Sequence, residues 1–391
     1  IILKKLIHVQ KDGSFRLDMK YFNYATGLKM TNEKFSNLFG IERRKPEDKL
    51  TQIHMDIAAS IQAVVEEIIL KIASFIAKEY QIPNLCMAGG VALNCVANGK
   101  ILKEKLFKNI WIQPASGDAG GSLGAAQAFY FQELNQPRRI FDKDSMKGSY
   151  LGPQFSDDEV ERELQKCGAK YKKLSFEQII INTAKNLSEE KVVGWFQGRM
   201  EFGPRSLGNR SILADPRSDK MQKKLNLKIK YRESFRPFAP AILLENVSDW
   251  FEIDKDSPYM LLVADLQKTK QIKISSEKKK LFGIDQLNLK RSNIPAVTHV
   301  DYTARIQTVQ NNTNPKFYRL LNEFKRITNI PVLVNTSFNI RGEPIVCTVK
   351  DAFRCFMNTE LDILVCNNYI LHKESQKKNL SSDYKQSYPL D

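Results

Sequence analysis

A chain of 391 residues with 42% hydrophobic and 10% aromatic residues is long enough for two or three domains and too apolar for a disordered polyelectrolyte. Its net charge of +16 points to anionic ligands, and no apolar run approaches the roughly 18–20 residues that a bilayer-spanning helix needs. The opening residues Ile1 to Leu6 lack the apolar core of a secretory leader, and six scattered cysteines (Cys86, Cys95, Cys167, Cys347, Cys355, Cys366) without a C-x-x-C favour free thiols in a reducing cytoplasm over a disulfide or zinc scaffold.

Residues 1–50 are polar and irregular, with Asp12-Gly13 as a turn signal and Phe15, Leu17 and Met19 alternating as in a short strand. Thr51 is placed to cap a helix in which Ile53, Ile57, Ile61, Val64, Val65, Ile68, Ile72, Phe75 and Ile76 recur at helical spacing to about Lys78. His54 lies beside this apolar face; with no second histidine three or four residues away it reads as packed rather than metal-binding. Residues 84–88 read as a buried strand, followed by Gly89-Gly90-Val91-Ala92-Leu93-Asn94 and a helix to about Leu102. A strand, a Gly-Gly turn and a helix start gather backbone N–H groups, so Gly89, Gly90 and Asn94 are candidates for holding a phosphate or ribose, although many such turns serve packing alone. Residues 109–113 read as the next strand, 114–121 as a turn and 122–134 as a helix. Asp118 stands at the strand's C-terminal end, as a metal ligand or as a helix cap.

Residues 136–156 read as a linker, and Ser156-Asp157-Asp158-Glu159 opens another helix. The apolar run 192–196 reads as a buried strand. It runs into Gly198-Arg199-Met200-Glu201-Phe202-Gly203-Pro204-Arg205-Ser206-Leu207-Gly208-Asn209-Arg210-Ser211. Glycine lets a backbone approach a ligand closely, proline stiffens a turn, and arginine offers a planar fork for phosphate or carboxylate oxygens. Residues 191–240 hold 12 Lys and Arg against 4 Asp and Glu, half of the chain's net charge. A loop built this way suits a polyanion.

Arg232-Glu233-Ser234-Phe235-Arg236-Pro237 adds two further forks before an apolar strand at 241–244. Residues 268–291 are lysine-rich and read as a solvated excursion. Residues 301–309 end in strand-like alternation, 316–327 read as a helix, and 331–334 as a buried strand entering Asn335-Thr336-Ser337-Phe338-Asn339-Ile340-Arg341-Gly342, a neutral polar wall for a ligand. Residues 361–365 read as a last strand, and the charged tail from Lys373 as disordered.

Taken together, residues 89–94, 117–126, 198–217, 232–240, 301–309 and 335–346 resemble the O-carbamoyltransferase family of nodulation and antibiotic biosynthesis, over nearly the whole chain. The resemblance implies an α/β chain of two modules. Residues 1–137 would be the C-terminal portion of an actin/Hsp70/sugar-kinase-like carbamoyl-transfer domain, similar to the ATPase domain of tRNA threonylcarbamoyl-modification enzymes. After a linker at 138–156, residues 157–372 would form a YrdC-like domain, with 373–391 as tail. In the family, ATP and carbamoyl phosphate give carbamoyladenylate, with release of pyrophosphate and phosphate, and the carbamoyl group then passes to a substrate hydroxyl at a metal-bound site.

Lys230-Tyr231-Arg232 is similar to the K-x-R signature of YrdC-like domains, and Thr336-Ser337-Phe338-Asn339 to their T-S-x-N signature. The resemblance places nucleotide and carbamoyl chemistry on Arg205, Lys230, Arg236, Arg305 and Ser337, with Arg199, Arg210, Arg232, Asn339 and Arg341 as further ATP or carbamoyladenylate contacts. ATP and carbamoyl phosphate together carry about six negative charges, which cations must surround. Asp118 resembles the family's aspartate metal ligand, for Fe2+ or another divalent ion. Its expected partners, two closely spaced histidines, are absent: His8, His54, His299 and His372 are unpaired in the sequence. The part of the family's first domain that would carry them is expected to precede Ile1, so that this chain supports the adenylating half-reaction alone. Two smaller departures are Tyr302, where Gly is usual and where it would narrow the pocket beside Arg305, and Ser206, where Ala is usual and no effect is expected.

The acceptor is expected to be a hydroxyl of a small molecule or sugar, and a homodimer is carried as a candidate assembly. A tRNA threonylcarbamoyl-modifying enzyme is the alternative, and would use the basic charge for salt-sensitive tRNA binding. A non-catalytic nucleic-acid module is disfavoured because the charge is tied to glycine–proline loops and no RNA-binding signature is present. Neither nucleic acid nor membrane is expected as a partner.

Overall fold

Helical and strand periods alternate along the chain, and the computed structural model, which describes residues 1–45, 48–140, 144–275, 281, 283–377 and 388, arranges them in two units. One comprises Ile1–Met87 and Val96–Trp111, the other Ala88–Cys95 and Ile112–Leu390.

In the first unit, β1 (Ile7–Val9) and β2 (Phe15–Leu17) form an antiparallel hairpin with His8 opposite Arg16. Its turn is fixed by Asp12, whose Oδ1 accepts from the Ser14 N–H at 2.9 Å. Gly13 has φ +88°, and a Cβ there would lie 2.6 Å from the Ile72 backbone nitrogen, so the hairpin tip meets the long helix only as glycine. After α1 (Glu33–Phe39), the helix α2 (Gln52–Tyr80) starts at Thr51 as its sequence predicts. His54 has a role there: its Nδ1 lies 3.1 Å from the Thr51 N–H and accepts from it, closing the cap. The apolar stripe of α2 is only partly covered, with Ile68 buried but Ile61, Ile72 and Phe75 exposed. β3 (Asn84–Met87), α3 (Cys95–Lys103) and β4 (Asn109–Ile112) follow. Ala73, Ile101 and Phe107 form the small core here. β3 is not the buried strand its apolar residues suggest: it alternates between exposed and half-buried, because among the described residues its sheet has two strands and leaves a face uncovered.

The second unit starts its helices with α4 (Asp118–Ala128), which begins at Asp118 rather than Ser122, then α5 (Asp157–Lys166), α6 (Phe176–Ser188), α7 (Met221–Lys224), α8 (Val247–Trp250), α9 (Pro315–Thr328) and α10 (Val349–Met357). Its strands are β5 (Lys172–Lys173), β6 (Val193–Phe196), β7 (Arg210–Ala214), β8 (Ala239–Leu243), β9 (Leu262–Asp265), β10 (Thr303–Val309), β11 (Val332–Ser337), β12 (Ile363–Cys366) and β13 (Tyr369–His372). They form one nine-stranded mixed sheet in the order β5-β13-β12-β6-β7-β11-β8-β10-β9. β12 runs parallel to β6 and β10 parallel to β8. β6, β7, β8 and β12 are buried along their whole length, which is why β6, β8 and β12 read as apolar runs. Trp195, Leu213, Leu333 and Val365 pack against Leu187, Phe317 and Phe324 of α6 and α9, each large side chain contributing about 1.5–3 kcal/mol.

Three sequence expectations change. Residues 144–156, expected in a linker, lie along the arginine loop: Met200 N–H donates to the Pro153 carbonyl at 2.9 Å and Phe202 N–H to the Ser149 carbonyl at 2.7 Å. The tail is anchored at its start, where Gln376 Nε2 donates to the Lys170 carbonyl at 2.8 Å; residues 378–387 and 389–391 lie outside the described residues. The excursion from Lys268 ends on a buried Arg291, while 276–280 and 282 are outside the described residues.

Gly208 is where the loop meets the core. It has φ +111°, and a Cβ would sit 2.3 Å from the Phe317 ring. Gly208→Ala should therefore cost about 2–4 kcal/mol in chemical denaturation; an unchanged midpoint would contradict this packing.

Candidate functional site

The arginine loop is organised by its one acid. Glu201 is buried, and its Oε1 accepts from the N–H groups of Leu207 at 2.7 Å, Asn209 at 2.8 Å and Arg210 at 3.3 Å. Burial pushes its carboxyl up from the ordinary range, against the opposing pull of these backbone donors. Tyr150 adds a clamp by donating its hydroxyl to the Leu207 carbonyl at 2.8 Å. The sheet holds the loop from below. Asn335 Nδ2 donates to the Ser206 carbonyl at 3.0 Å and to Gln307 Oε1 at 2.6 Å, and Gln307 Nε2 donates to the Leu207 carbonyl at 2.7 Å. Gly203, at φ +140°, brings the loop against the next turn, where a Cβ would lie 2.8 Å from the Pro114 carbonyl oxygen.

This frame presents Arg205 beside Arg305. Arg305 stands two residues before Gln307 on β10 and so shares its face of the sheet. Burial and then the Arg305 charge pull Arg205 down to about 10, and burial lowers Arg305 as well. The Cys95 thiol, which bonds Arg305, is the opposing influence on both; among the described residues no carboxylate acts on either. Arg205 Nε is buried without a hydrogen-bond partner among the described residues. Cys95 follows the Gly89–Asn94 turn directly, so that turn reaches the arginine pair through its last neighbour. Gly89 and Gly90 are exposed, and a Cβ on either would meet nothing within 4 Å.

Lys230 makes a second cluster. It ends the turn after α7, is 2% exposed, and its Nζ donates to Ser337 Oγ at 3.1 Å, the Asn339 carbonyl at 3.0 Å, Asn339 Oδ1 at 2.7 Å and the Ser337 carbonyl. Ser337 Oγ donates in turn to Asn339 Oδ1 at 2.7 Å, and the Arg341 N–H donates to the Lys230 carbonyl at 3.0 Å. The K-x-R and T-S-x-N segments thus meet at one ammonium. All its partners are neutral, and burial followed by the Arg232 charge brings Lys230 down to about 7.

The remaining arginines divide. Arg236 Nε pairs with Glu233 at 2.9 Å, and both Arg236 and Arg341 help lower the Glu233 carboxyl against its burial. Arg232 Nε donates to Asn226 Oδ1 at 2.7 Å and its guanidinium lies 5.0 Å from the centre of the Phe238 ring. Arg199 is exposed, with Nη1 on the Gly152 carbonyl at 3.3 Å. Arg210, expected as a nucleotide contact, faces inward instead. Its Nη1 donates to the carbonyls of Gln197 at 2.8 Å and Asn209 at 2.9 Å, its Nη2 to Pro153 at 3.2 Å, and the guanidinium covers the Phe196 ring at 3.6 Å. It begins β7 and holds the loop's base. Sequence reading missed Glu201 and Gln307 as its companions; the signal for Glu201 was a lone acid among arginines.

Asp118 is an exposed first residue of α4, whose cap position is Gly117, so it is not the cap. Among the described residues no three His, Cys, Asp or Glu side chains lie together, so Asp118 alone does not fit the divalent ion that the resemblance implies. Tyr302 holds φ +64°, a conformation that glycine adopts without strain, and its hydroxyl donates to the Ile272 carbonyl at 3.3 Å. Ser206 places in the loop a buried hydroxyl without a partner among the described residues. No helix among the described residues is long and apolar enough to cross a membrane, and all six cysteines are free.

Comparison with known proteins agrees with this arrangement of motifs. The family models described as Carbamoyltransferase N-terminus and Carbamoyltransferase C-terminus match residues 1–127 and 184–373. An uncharacterized protein of Synechocystis is 55% identical over 100% of this chain and 64% of its own length. The nodulation protein NolNO of Sinorhizobium fredii is 38% identical over 86% of this chain and 47% of its own length. The nodulation protein NolO of Bradyrhizobium diazoefficiens is 38% identical over 86% of this chain and 58% of its own. The chain therefore spans between about half and just under two thirds of the length of these relatives, and it belongs to the carbamoyltransferase family.

Proposed function

We propose that this chain forms carbamoyladenylate from ATP and carbamoyl phosphate, as the adenylating part of an O-carbamoyltransferase that delivers the carbamoyl group to a hydroxyl of a small molecule or sugar. The observation that carries the reading is the Arg205–Arg305 pair: two largely enclosed cations side by side, with no carboxylate among the described residues acting on either. Such a pair is self-repelling until an anion arrives. Lys230, Ser337 and Asn339 add a donor cluster at the end of β11. The adenylating module is assigned to residues 157–372 and the transfer module to 1–137, working in the cytoplasm.

Hydrolysis of carbamoyl phosphate gives carbamate and phosphate. A carbamate oxygen then attacks the α-phosphorus of ATP, the bond to the bridging oxygen breaks, and pyrophosphate leaves with that electron pair. Negative charge grows on the α-phosphoryl oxygens during the attack. Arg205, carried on a loop backbone that Glu201, Asn335 and Gln307 already hold, and Arg305 on β10 stabilise it. Protonated Lys230 supplies one further positive charge and donor. No step is assigned to a metal.

Pyrophosphate release by this chain should require both ATP and carbamoyl phosphate, and Arg205→Ala and Lys230→Ala should each lower it by about 100-fold or more. Rates near wild type in both variants would contradict the assignment. A second expectation concerns pH. Lys230 sits near 7, so it is mostly neutral at pH 8, and a bound polyanion favours its charged form. ATP binding at pH 8, followed by calorimetry in buffers of different ionisation enthalpy, should take up close to one proton, falling toward zero at pH 6 and in Lys230→Arg. Absence of uptake at pH 8 would show that Lys230 does not meet the nucleotide.

A further inference from the structure

The turn after the 336–339 segment carries an acid that takes no part in the chemistry above. Glu343 is 5% exposed. Its N–H donates to the Ile340 carbonyl at 3.3 Å and its Oε2 accepts from the Ile340 N–H at 2.9 Å, so residues 340–343 close on themselves. Gly342, at φ +76°, permits the turn. Two features of the Lys230 surroundings are built on it. The Glu343 carbonyl accepts from Asn339 Nδ2 at 2.6 Å, which leaves Asn339 Oδ1 to accept from Lys230 Nζ at 2.7 Å. The Arg341 N–H, inside the turn, donates to the Lys230 carbonyl at 3.0 Å. One turn therefore holds the backbone of the lysine and orients an acceptor of its side chain.

A glutamine would close the same turn, so what the carboxylate adds is charge. Burial lowers Lys230 most and the Arg232 charge next, while Cys355 and then Glu343 pull the other way. Among the described residues Glu343 is the one carboxylate that acts on this ammonium. Glu343 has other neighbours: its Oε1 lies 3.7 Å from Arg354 Nη2 and accepts from the Tyr388 hydroxyl at 3.3 Å, and Arg354 Nη2 lies 3.5 Å from Asp351 Oδ1. The Arg354 side chain is 45% exposed and screened by water, whereas Glu343 and Lys230 are both buried, where charges act on each other more strongly.

Resting on the nucleotide reading above, we propose that Glu343 is a positioning residue for Lys230: the turn it closes aims an acceptor at the ammonium, and its carboxylate biases Lys230 toward the cation that an incoming polyanion needs.

NMR of the chain with isotope-labelled lysine tests this without nucleotide, Lys230→Arg identifying the Lys230 signal and thermal denaturation confirming that each variant is folded. Lys230 should titrate near 7, and Glu343→Gln should lower that midpoint by about half a pH unit or more. If Glu343 served the fold alone, its loss would admit water and move the midpoint up, toward the ordinary lysine value of about 10.4. An unchanged or raised midpoint in Glu343→Gln would therefore overturn the proposal. Glu343→Asp, which keeps the charge, carries the test if Glu343→Gln does not fold: its midpoint should stay within about 0.3 pH units of the unsubstituted chain, and a rise of about one unit or more would overturn the proposal. The basic limb of kcat/KM for pyrophosphate release reports the free enzyme and should follow the midpoint downward in Glu343→Gln. A midpoint that falls while the limb stays in place, or while no pyrophosphate is released, would leave the coupling of Glu343 to Lys230 standing and overturn the nucleotide reading.

Discussion

The Glu201 carboxylate is the contact on which the rest of the site depends. One oxygen gathers three backbone N–H groups from the far side of its own loop. Hydrogen bonds to a charged acceptor are worth about 1.5–3 kcal/mol each before the cost of burying the charge is counted. That cost is visible in the upward push on the Glu201 carboxyl. The loop is curled as a result, and Arg205, between Glu201 and the residues it gathers, lies within reach of the Arg305 charge. Arg210 closes the same loop from the other end with carbonyl acceptors. Three arginines of similar appearance in the sequence therefore have different tasks: Arg210 holds, Arg205 is presented, and Arg199 stays at the surface.

The two cation clusters are built on the same principle by different means. Arg205 and Arg305 repel each other, with the Cys95 thiol as the opposing influence, whereas the Lys230 ammonium donates to neutral acceptors. In both, burial is the largest influence and disfavours the charged form, and the opposing pull of Cys95 on the arginines, or of Cys355 and Glu343 on Lys230, does not offset it. A protein rarely retains such groups for stability, since unpaired buried charge is costly. Proximity to a polyanion is the physical circumstance in which both become favourable.

Much of the fold was legible. Strands β6, β8, β11 and β12 announce themselves as apolar runs because most of their side chains are buried on both faces of the sheet. β7 was not, because it opens with Arg210-Ser211, whose burial depends on carbonyls 12 or more residues distant that no local pattern shows. The helices α6 and α10 carried a signal that went unread, the capping boxes Ser175/Gln178 and Thr348/Asp351. In the site, the meeting of Lys230 with Ser337 and Asn339 was foreseeable from their motifs, while the division of labour among the arginines was not: a guanidinium that binds carbonyls and one that awaits a ligand have the same spelling. The linker reading failed for a related reason. Gly148, Gly152 and Pro153 signal turns, but turns that dock on a loop look like turns in solvent. Asp118 looked like a cap or a ligand, and its place inside the first turn of α4 is decided by Gly117.

The account's central claim is that the α-phosphorus of ATP is the reacting centre, and identifying the nucleotide product tests it most directly. Mass spectrometry of a rapidly quenched mixture of the chain with ATP and carbamoyl phosphate should find carbamoyladenylate, or AMP from its breakdown, together with pyrophosphate in equal amount. ADP as the nucleotide product would place the attack at the γ-phosphorus and contradict the account.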